Sequence, residues 1–389
     1  MRVCMVTTSY PRHEGDFCGF FVERIARELT ARGWQVRVVA PHAAGLPTRE
    51  ERNGIEIRRF RYAWPAGLEQ LCYGAGIPSA IRSKPWVRLL LPAFAHALYR
   101  CALRSSRDCD ILHCMWLMTA WFGRRVAVKR GMPLISTALG SDLGLAGRPG
   151  LMRNMSRRAL AQSDAVTIVG TAQRQEIERL GVTPRRIELI PNGVDEAFLT
   201  PPATGPKPID VLFVGRLAQE KRPLLLLEAM KILRAGGRRV TASLVGQGPL
   251  HDELAEFARR EGLDGVEMPG IVSHDQVSHI MDCSKMLVLV SQREGLPNVV
   301  VEAMARGLAV LATDVGSVSQ VVEPGRTGQL LPRDVSAEAL AAAIQRLIDD
   351  PAMMQSMGKA AREAVVSRFT WQAAGEQYDR LYRDVLRSR

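Results

Sequence analysis

Four charged residues in the second half of the chain stand where chemistry is done. Val214-Gly215-Arg216-Leu217 ends an apolar run that reads as a buried strand, and Lys221 lies five residues after Arg216. A glycine at a strand end lets a ligand approach the backbone, and two cations on the loop beyond it can clamp a diphosphate. Further on, the stretch from Ser291 to Glu302 follows a second apolar run and opens a helix, with Pro297 near the first helical position. The amides of Asn298 and Val299, in the first helical turn, can hold an anion. Glu294 precedes that helix and Glu302 sits on its second turn. Carboxylates beside a phosphate repel it unless they accept bonds from hydroxyl groups. A nucleotide sugar carries hydroxyls at both ends of its diphosphate, so the set fits that class of ligand.

The elements that position these residues follow from the hydrophobic pattern. With 389 residues, 47% apolar and 24% charged, the chain has material for two globular cores. Short apolar runs alternate with helical patterns in both halves, which predicts parallel α/β sheets. The first-half strands are expected at Val3–Thr7, Val36–Ala40, Ile111–Met115, Leu134–Ala138 and Val166–Val169. Those of the second half are expected at Val211–Val214, Val240–Val245, Val266–Met268, Met286–Val290 and Leu308–Ala312. Pro191-Asn192-Gly193 is turn chemistry, and the prolines from Pro201 to Pro208 make a stiff connector. The expected organisation is a doubly wound domain over 1–195, a second over 196–368, and a closing helix in 369–389 that returns to the first. Two such domains facing one another imply a cleft at the carboxyl ends of their strands.

Several classes are excluded. The close Gly-x-Gly-x-x-Gly of dinucleotide-binding turns is missing, since Gly246-Gln247-Gly248 lacks the third glycine at its spacing. No Lys-Ser/Thr phosphate loop occurs. No apolar run reaches the roughly 18 residues of a spanning helix, and Met1–Val6 reads as a strand, not a leader, so a cytoplasmic chain is expected. The seven cysteines form no disulfide framework, and Cys109, His113 and Cys114 are too few ligands for zinc. Asp108-Cys109-Asp110 reads as a solvated strand entry.

The net charge of +12 is uneven. Residues 1–200 hold 29 Lys+Arg against 17 Asp+Glu, and residues 201–389 hold 23 of each. One half therefore carries the whole excess and is expected to meet something anionic. No zinc finger, basic zipper or basic-aromatic RNA motif appears, so nucleic acid is not expected. Arg82, Lys84, Arg88, Arg100, Arg104 and Arg107 alternate with Trp86, Leu89–Leu91, Phe94 and Tyr99, which suits an interfacial amphipathic helix on an anionic membrane, the alternative being a solvated face.

Glu294 and Glu302 bracket seven residues, and the chain resembles the retaining glycosyltransferases of family 4, group 1, whose fold is GT-B. Gly19 is similar to that family's glycine-loop position. Ile190-Pro191-Asn192-Gly193-Val194-Asp195 resembles its interdomain turn, and Gly215-Arg216-Leu217 with Lys221, then Gly246–Leu250, match its second domain in order. The resemblance implies that Arg216 and Lys221 neutralise the donor diphosphate, that Glu294 bonds hydroxyls of the transferred sugar, and that Glu302 bonds the ribose. It implies that Gly19, Gly215, Gly295, Leu296, Pro297, Asn298 and Val299 complete the donor site. Asp110–Trp116 and Ala138–Asp142 resemble first-domain segments of the family, with Met115 and Leu139 where polar residues often stand. His113 and Asp142 are therefore expected as active-site lining, with a structural role for His113 equally open.

The implied activity moves a hexose or N-acetylhexosamine, with retention and without a metal or cofactor, from a nucleoside diphosphate sugar to a glycan or lipid-linked glycan acceptor. Such work in cell-surface polysaccharide synthesis would place the protein on the inner face of the cell membrane. The alternatives are a soluble disaccharide synthase or sugar phosphorylase, or a non-catalytic binder of sugar nucleotides.

Overall fold

The computed structural model describes residues 1–16, 18–73, 76–147 and 150–388. The chain divides into two units, one built from residues 1–192 together with 371–389, the other from 193–370.

The first unit holds an eight-stranded sheet of β1 (Arg2–Val6), β2 (Gln35–Pro41), β3 (Arg49–Arg52), β4 (Ile55–Phe60), β5 (Ile111–Met115), β6 (Leu134–Ala138), β7 (Ala165–Ile168) and β8 (Ile187–Leu189). Their order is β3-β4-β2-β1-β5-β6-β7-β8, parallel throughout except for the β3–β4 hairpin at one edge. The strands expected from apolar runs are all present. The hairpin and β8 were not expected, because β3 reads Arg-Glu-Glu-Arg and carries no apolar side chain. Asn53 and Gly54 turn it, both with positive φ, as a tight hairpin loop requires. Two-sided burial accounts for the apolar runs of the central strands: every residue of β5, β6 and β7 is buried.

One face of this sheet is closed by the helix Phe20–Ala31, whose Val22, Ile25, Ala26 and Leu29 recur at helical spacing and are all buried. The remaining cover is the last helix, Trp371–Arg387, which contributes Tyr378, Leu381, Tyr382 and Val385 to the same core. Gly375 lets the two helices touch, since a Cβ there would stand 2.5 Å from the Cβ of Glu28. Trp34 donates its indole N–H to Asp379 at 2.7 Å. Each such large apolar side chain contributes on the order of 1.5–3 kcal/mol by leaving water.

The second unit is a six-stranded, wholly parallel sheet of β9 (Ile209–Val214), β10 (Ala242–Val245), β11 (Val266–Gly270), β12 (Ser284–Leu289), β13 (Ala309–Thr313) and β14 (Gly328–Leu331). Its order is β11-β10-β9-β12-β13-β14, so β9 and β12 lie side by side at the centre. The proline-rich stretch read as a connector belongs to this unit. Arg306 reaches the Thr200 carbonyl at 2.8 Å and Arg362 the Leu199 carbonyl at 2.7 Å, while Arg306 is itself held by the buried Asp282. Stiff proline geometry is here pinned to a surface and does not span a gap.

Beneath the last helix runs a buried polar chain. His113 on β5 bonds Tyr382 Oη through Nδ1 at 2.6 Å and Thr137 Oγ1 through Nε2 at 2.7 Å, and Thr137 meets Thr167 Oγ1 at 2.7 Å. Tyr382→Phe leaves the imidazole Nδ1 without its partner. We expect a loss of about 1–3 kcal/mol of stability in urea denaturation, the cost of a buried polar group left unbonded, with turnover per folded molecule unchanged.

Candidate active site

The carboxyl ends of parallel strands share one edge of a sheet, and in the second unit the loops beyond β9, β12 and β13 meet there. After β9, Gly215 donates to the Val245 carbonyl at 2.9 Å and Leu217 to the Gln247 carbonyl at 3.0 Å. These bonds lay the loop against the one after β10, where Gly248 has no room for a side chain because a Cβ would lie 2.2 Å from the Leu217 carbonyl oxygen. That explains the Gly-Gln-Gly sequence as backbone packing. Leu217 is buried, whereas Arg216 is exposed and has no side-chain partner among the described residues.

A single 3-10 turn, Gln219–Lys221, leads to the helix Pro223–Ala235. Here the loops of β9 and β12 are stitched together. The Gln292 amide donates to the Glu220 carbonyl at 2.8 Å, and Arg222 Nε donates to the Val290 carbonyl at 2.7 Å. The result brings Lys221 and Glu294 into contact: Nζ stands 2.5 Å from Oε1, with the two side chains 25% and 8% exposed. Glu294 is fixed from its other side by the loop after β13. Ser317 donates to the Gly295 carbonyl at 3.0 Å, and Thr313 Oγ1 to the Ser291 carbonyl at 2.6 Å. Gly316, at φ +63°, makes that approach possible, because a Cβ there would meet the Glu294 carbonyl oxygen at 1.9 Å.

Leu296 and Pro297 then lead into the helix Asn298–Ala305. As its first residues, Asn298 and Val299 have amides with no acceptor inside the helix. Glu302 is half-buried on the second turn. Burial, and next the nearby Asp195, push its carboxyl up to about 7. The edge thus carries an exposed guanidinium, an ammonium that a carboxylate already neutralises, free helix amides and a second carboxyl that protonates near neutrality.

The first unit places its three expected residues differently. Gly19, at φ +78°, begins the helix Phe20–Ala31, and a Cβ there would meet the Ser9 carbonyl oxygen at 2.2 Å, so the chain's own loop requires it. His113 is 0% exposed, both ring nitrogens are engaged, and burial pushes it down to about 3, so it stays neutral. The lining role expected of it is corrected to a core one, because no nitrogen remains to meet a substrate. Asp142, in the first turn of the helix Gly140–Ala146, accepts the Leu117 amide at 3.1 Å and the Leu139 amide at 3.3 Å. Burial pushes its carboxyl up to about 7 against the pull of those two amides. It caps the start of the helix Leu117–Arg130.

Asp108 is an ion partner of Arg2 and Arg37, and Asp110 accepts the Arg2 amide at 2.6 Å, which explains Asp-Cys-Asp without a metal ligand role. Among the described residues no three His, Cys, Asp or Glu side chains gather as a metal centre would need.

The basic segment is also corrected in part. The helix Leu91–Ser105 turns Phe94, Leu98 and Ala102 into its own core, and Phe94 meets Phe60 and Tyr62 with ring centres 5.3 Å away. Arg100, Arg104 and Arg107 stay in water, as does the preceding turn, with Trp86 and Leu89 exposed among Arg82, Lys84 and Arg88, and Trp64 79% exposed.

Sequence reasoning missed Gly316, Arg222, the Glu220 carbonyl and the closeness of Asp195 to Glu302. Only Gly316 had a local signal, the turn-forming Asp314-Val315-Gly316-Ser317 after an apolar run. The rest act through backbone or across the sheet.

Comparison with known proteins bears on the whole chain. The description "Glycosyltransferase Family 4" matches residues 19–198 and "Glycosyl transferases group 1" matches residues 197–364. The chain belongs to the family 4, group 1 glycosyltransferases. Glycogen synthase of Mycobacterium tuberculosis is 26% identical over 98% of this chain and 94% of its own. Among solved structures, sucrose-phosphate synthase from Thermosynechococcus elongatus superposes with a TM-score of 0.79 at 22% identity, covering 100% of both chains. Anabaena HepE in complex with UDP-glucose superposes at 0.72 and 19% identity, again over 100% of both. These likenesses establish the GT-B fold for this glycosyltransferase.

The raised carboxyl of Glu302 predicts a pH effect. From its ordinary 4.5 to about 7 in the folded chain, folding takes up a proton. Stability therefore falls as pH rises through that window and levels off above it. Asp142 adds a change of the same sign, so the readout is the difference between proteins. Glu302→Gln should flatten the fall between pH 5 and pH 8 by on the order of 2 kcal/mol in urea titrations. Parallel profiles for the two proteins would show that Glu302 keeps an ordinary carboxyl.

Proposed function

We propose that this glycosyltransferase moves a hexose or N-acetylhexosamine from a nucleoside diphosphate sugar with retention of configuration, and that the donor binds at the carboxyl edge of the second unit's sheet. The observation that carries this reading is the Lys221–Glu294 pair on the same loop edge as Arg216, which is exposed and has no side-chain partner among the described residues. Family membership and the UDP-glucose bound by HepE support it.

In this reading the ligand-free site is already neutralised internally. A diphosphate arriving at Arg216 and the amides of Asn298 and Val299 draws Lys221 away from Glu294. The freed carboxylate then accepts hydroxyls of the transferred sugar, while Glu302, ionised on gaining partners, accepts those of the ribose. In the reaction the bond from the anomeric carbon to the diphosphate oxygen breaks. A bond to the acceptor oxygen forms on the same face, and the acceptor proton passes to the departing diphosphate. Arg216 and Lys221 hold the charge that develops there, and a well-placed donor of this kind contributes about 3–4 kcal/mol. No metal takes part in this scheme, so chelation with EDTA should leave turnover intact.

A panel of UDP-, GDP- and ADP-sugars, read by nucleotide release with a membrane extract as acceptor, tests the assignment. Arg216→Ala and Lys221→Ala should each lower turnover tenfold or more, a charge-assisted bond to diphosphate being worth roughly 1.5–3 kcal/mol. Glu294→Ala should cut turnover while leaving nucleoside diphosphate affinity no weaker than in the wild type, since it also frees Lys221. Turnover near wild type in both cation variants would remove the site.

For the acceptor, we propose a membrane-associated glycan. The exposed Trp86 and Leu89 among Arg82, Lys84 and Arg88 support it, as a turn that gains by meeting an anionic surface. Among the described residues no helix is long and apolar enough to cross a membrane. A soluble sugar acceptor is the second reading, favoured by the names of the similar synthases. Flotation with anionic vesicles distinguishes them. Binding should weaken steeply between 0.05 and 0.5 M salt and weaken again in Arg82→Gln/Lys84→Gln/Arg88→Gln, exposed charges being screened within about 10 Å at 0.1 M. Protein that stays with the soluble fraction at low salt favours the second reading.

A further inference from the structure

A second cationic site lies in the first unit, formed by the β3–β4 hairpin and the helix Leu91–Ser105. A cleft of about 340 Å³ is lined there by Arg49, Arg58, Arg59, Arg61, Arg100 and Arg104, and no acidic side chain lines it. Neighbouring acids meet three of these arginines and leave the other three without a partner among the described residues. Glu50 is taken by Arg52 and Arg59, and Glu56 is shared between Arg37 and Arg58. Glu69 is 4.0 Å from Arg61 and bonded to His42 at 2.5 Å. Arg49, Arg100 and Arg104 have no side-chain partner among the described residues.

The backbone fixes this crowding. Arg49 and Arg58 are directly opposed across the antiparallel pair, a like-charge juxtaposition that destabilises a hairpin. Arg100 and Arg104 stand four residues apart on one helix face, again with like charges adjacent. Cys101 lies between them in the lining. Burial pushes its thiol up against the pull of Ser105 and then of Arg58, Arg104 and Arg49, so the three guanidiniums act on one spot. A fold that gathers Arg49, Arg100 and Arg104 without acid partners holds a place for an anion. Guanidiniums in a fork match phosphate oxygens two at a time. The volume falls within the range of small-ligand clefts, enough for a phosphorylated sugar or a phospholipid headgroup.

We infer that this cleft binds a phosphate-bearing ligand independently of the sugar-nucleotide donor. It shares no residue with the proposed donor loops, nor with the exposed turn at Arg82–Leu89.

Inorganic diphosphate is the first probe, titrated calorimetrically into protein carrying Arg216→Ala and Lys221→Ala so that those loops are silent. One binding event should remain, and adding Arg49→Gln, Arg100→Gln and Arg104→Gln should weaken it at least tenfold. Vesicles of phosphatidylcholine with and without phosphatidic acid are the second probe. Flotation that needs both phosphatidic acid and the three arginines identifies a lipid headgroup as the source. Diphosphate binding without such flotation identifies a soluble phosphate compound. If the three substitutions change neither diphosphate affinity nor flotation, the inference fails. The ligand-free triple variant should melt no lower than its parent, since it loses repulsion only. A lower melting temperature would show the arginines to be structural and would overturn the proposal as well.

Discussion

Parallel pairing is the constraint on which the second unit depends. When neighbouring strands run the same way, every carboxyl end emerges on one edge, and every connecting loop there begins with backbone groups that have left the ladder. Those groups need partners. Here they find one another: Gln292 with Glu220, Leu217 with Gln247, Ser317 with Gly295. The site is therefore a by-product of backbone satisfaction, and its side chains ride on loops that the sheet itself holds rigid. Gly248 and Gly316 are where this mutual approach is closest, which is why neither position has space for a Cβ.

The electrostatics follow from the same geometry. A carboxylate 8% exposed would be costly alone, and Lys221 offsets that cost in the absence of any ligand. Glu302 has no such cation among the described residues and answers burial by holding its proton more tightly. Two acidic residues eight positions apart thus meet different neighbours, a lysine for Glu294 and burial beside Asp195 for Glu302. That difference suits a ligand whose two ends are chemically distinct.

Much of this was legible in the sequence because apolar runs on parallel strands are buried on both faces and lack competing signals. The Gly215–Lys221 and Glu294–Glu302 segments could be placed at strand ends for that reason. What could not be read was long-range. Lys221 and Glu294 lie 73 residues apart, and no local pattern says that they touch. His113 looked available because it sits near the end of a strand. Its side chain shares a sheet face with Ile111 and Met115, and the helix that covers that face begins more than 250 residues later. The hairpin of β3 and β4 had a readable Asn-Gly turn, but its charged first strand masked it. Amphipathicity misled at Phe94, since a helix facing its own core has the same periodicity as one facing lipid.

The late arrival of that covering helix has a consequence for biosynthesis. The first unit is discontinuous: 192 residues leave the ribosome first, and the segment that completes their core follows only after the 178 residues of the second unit. At ordinary elongation speeds of about 5–20 residues per second, the interval is roughly 10 to 35 seconds. During it, Trp34, His113 and Met115 lack their native cover, while the second unit, uninterrupted in sequence, can finish. Ribosomal order is thereby inverted, and the amino-terminal half is the last to become native. A nascent chain of this kind offers holding chaperones a defined target: one uncovered sheet face that stays sticky until residues 371–389 have been made.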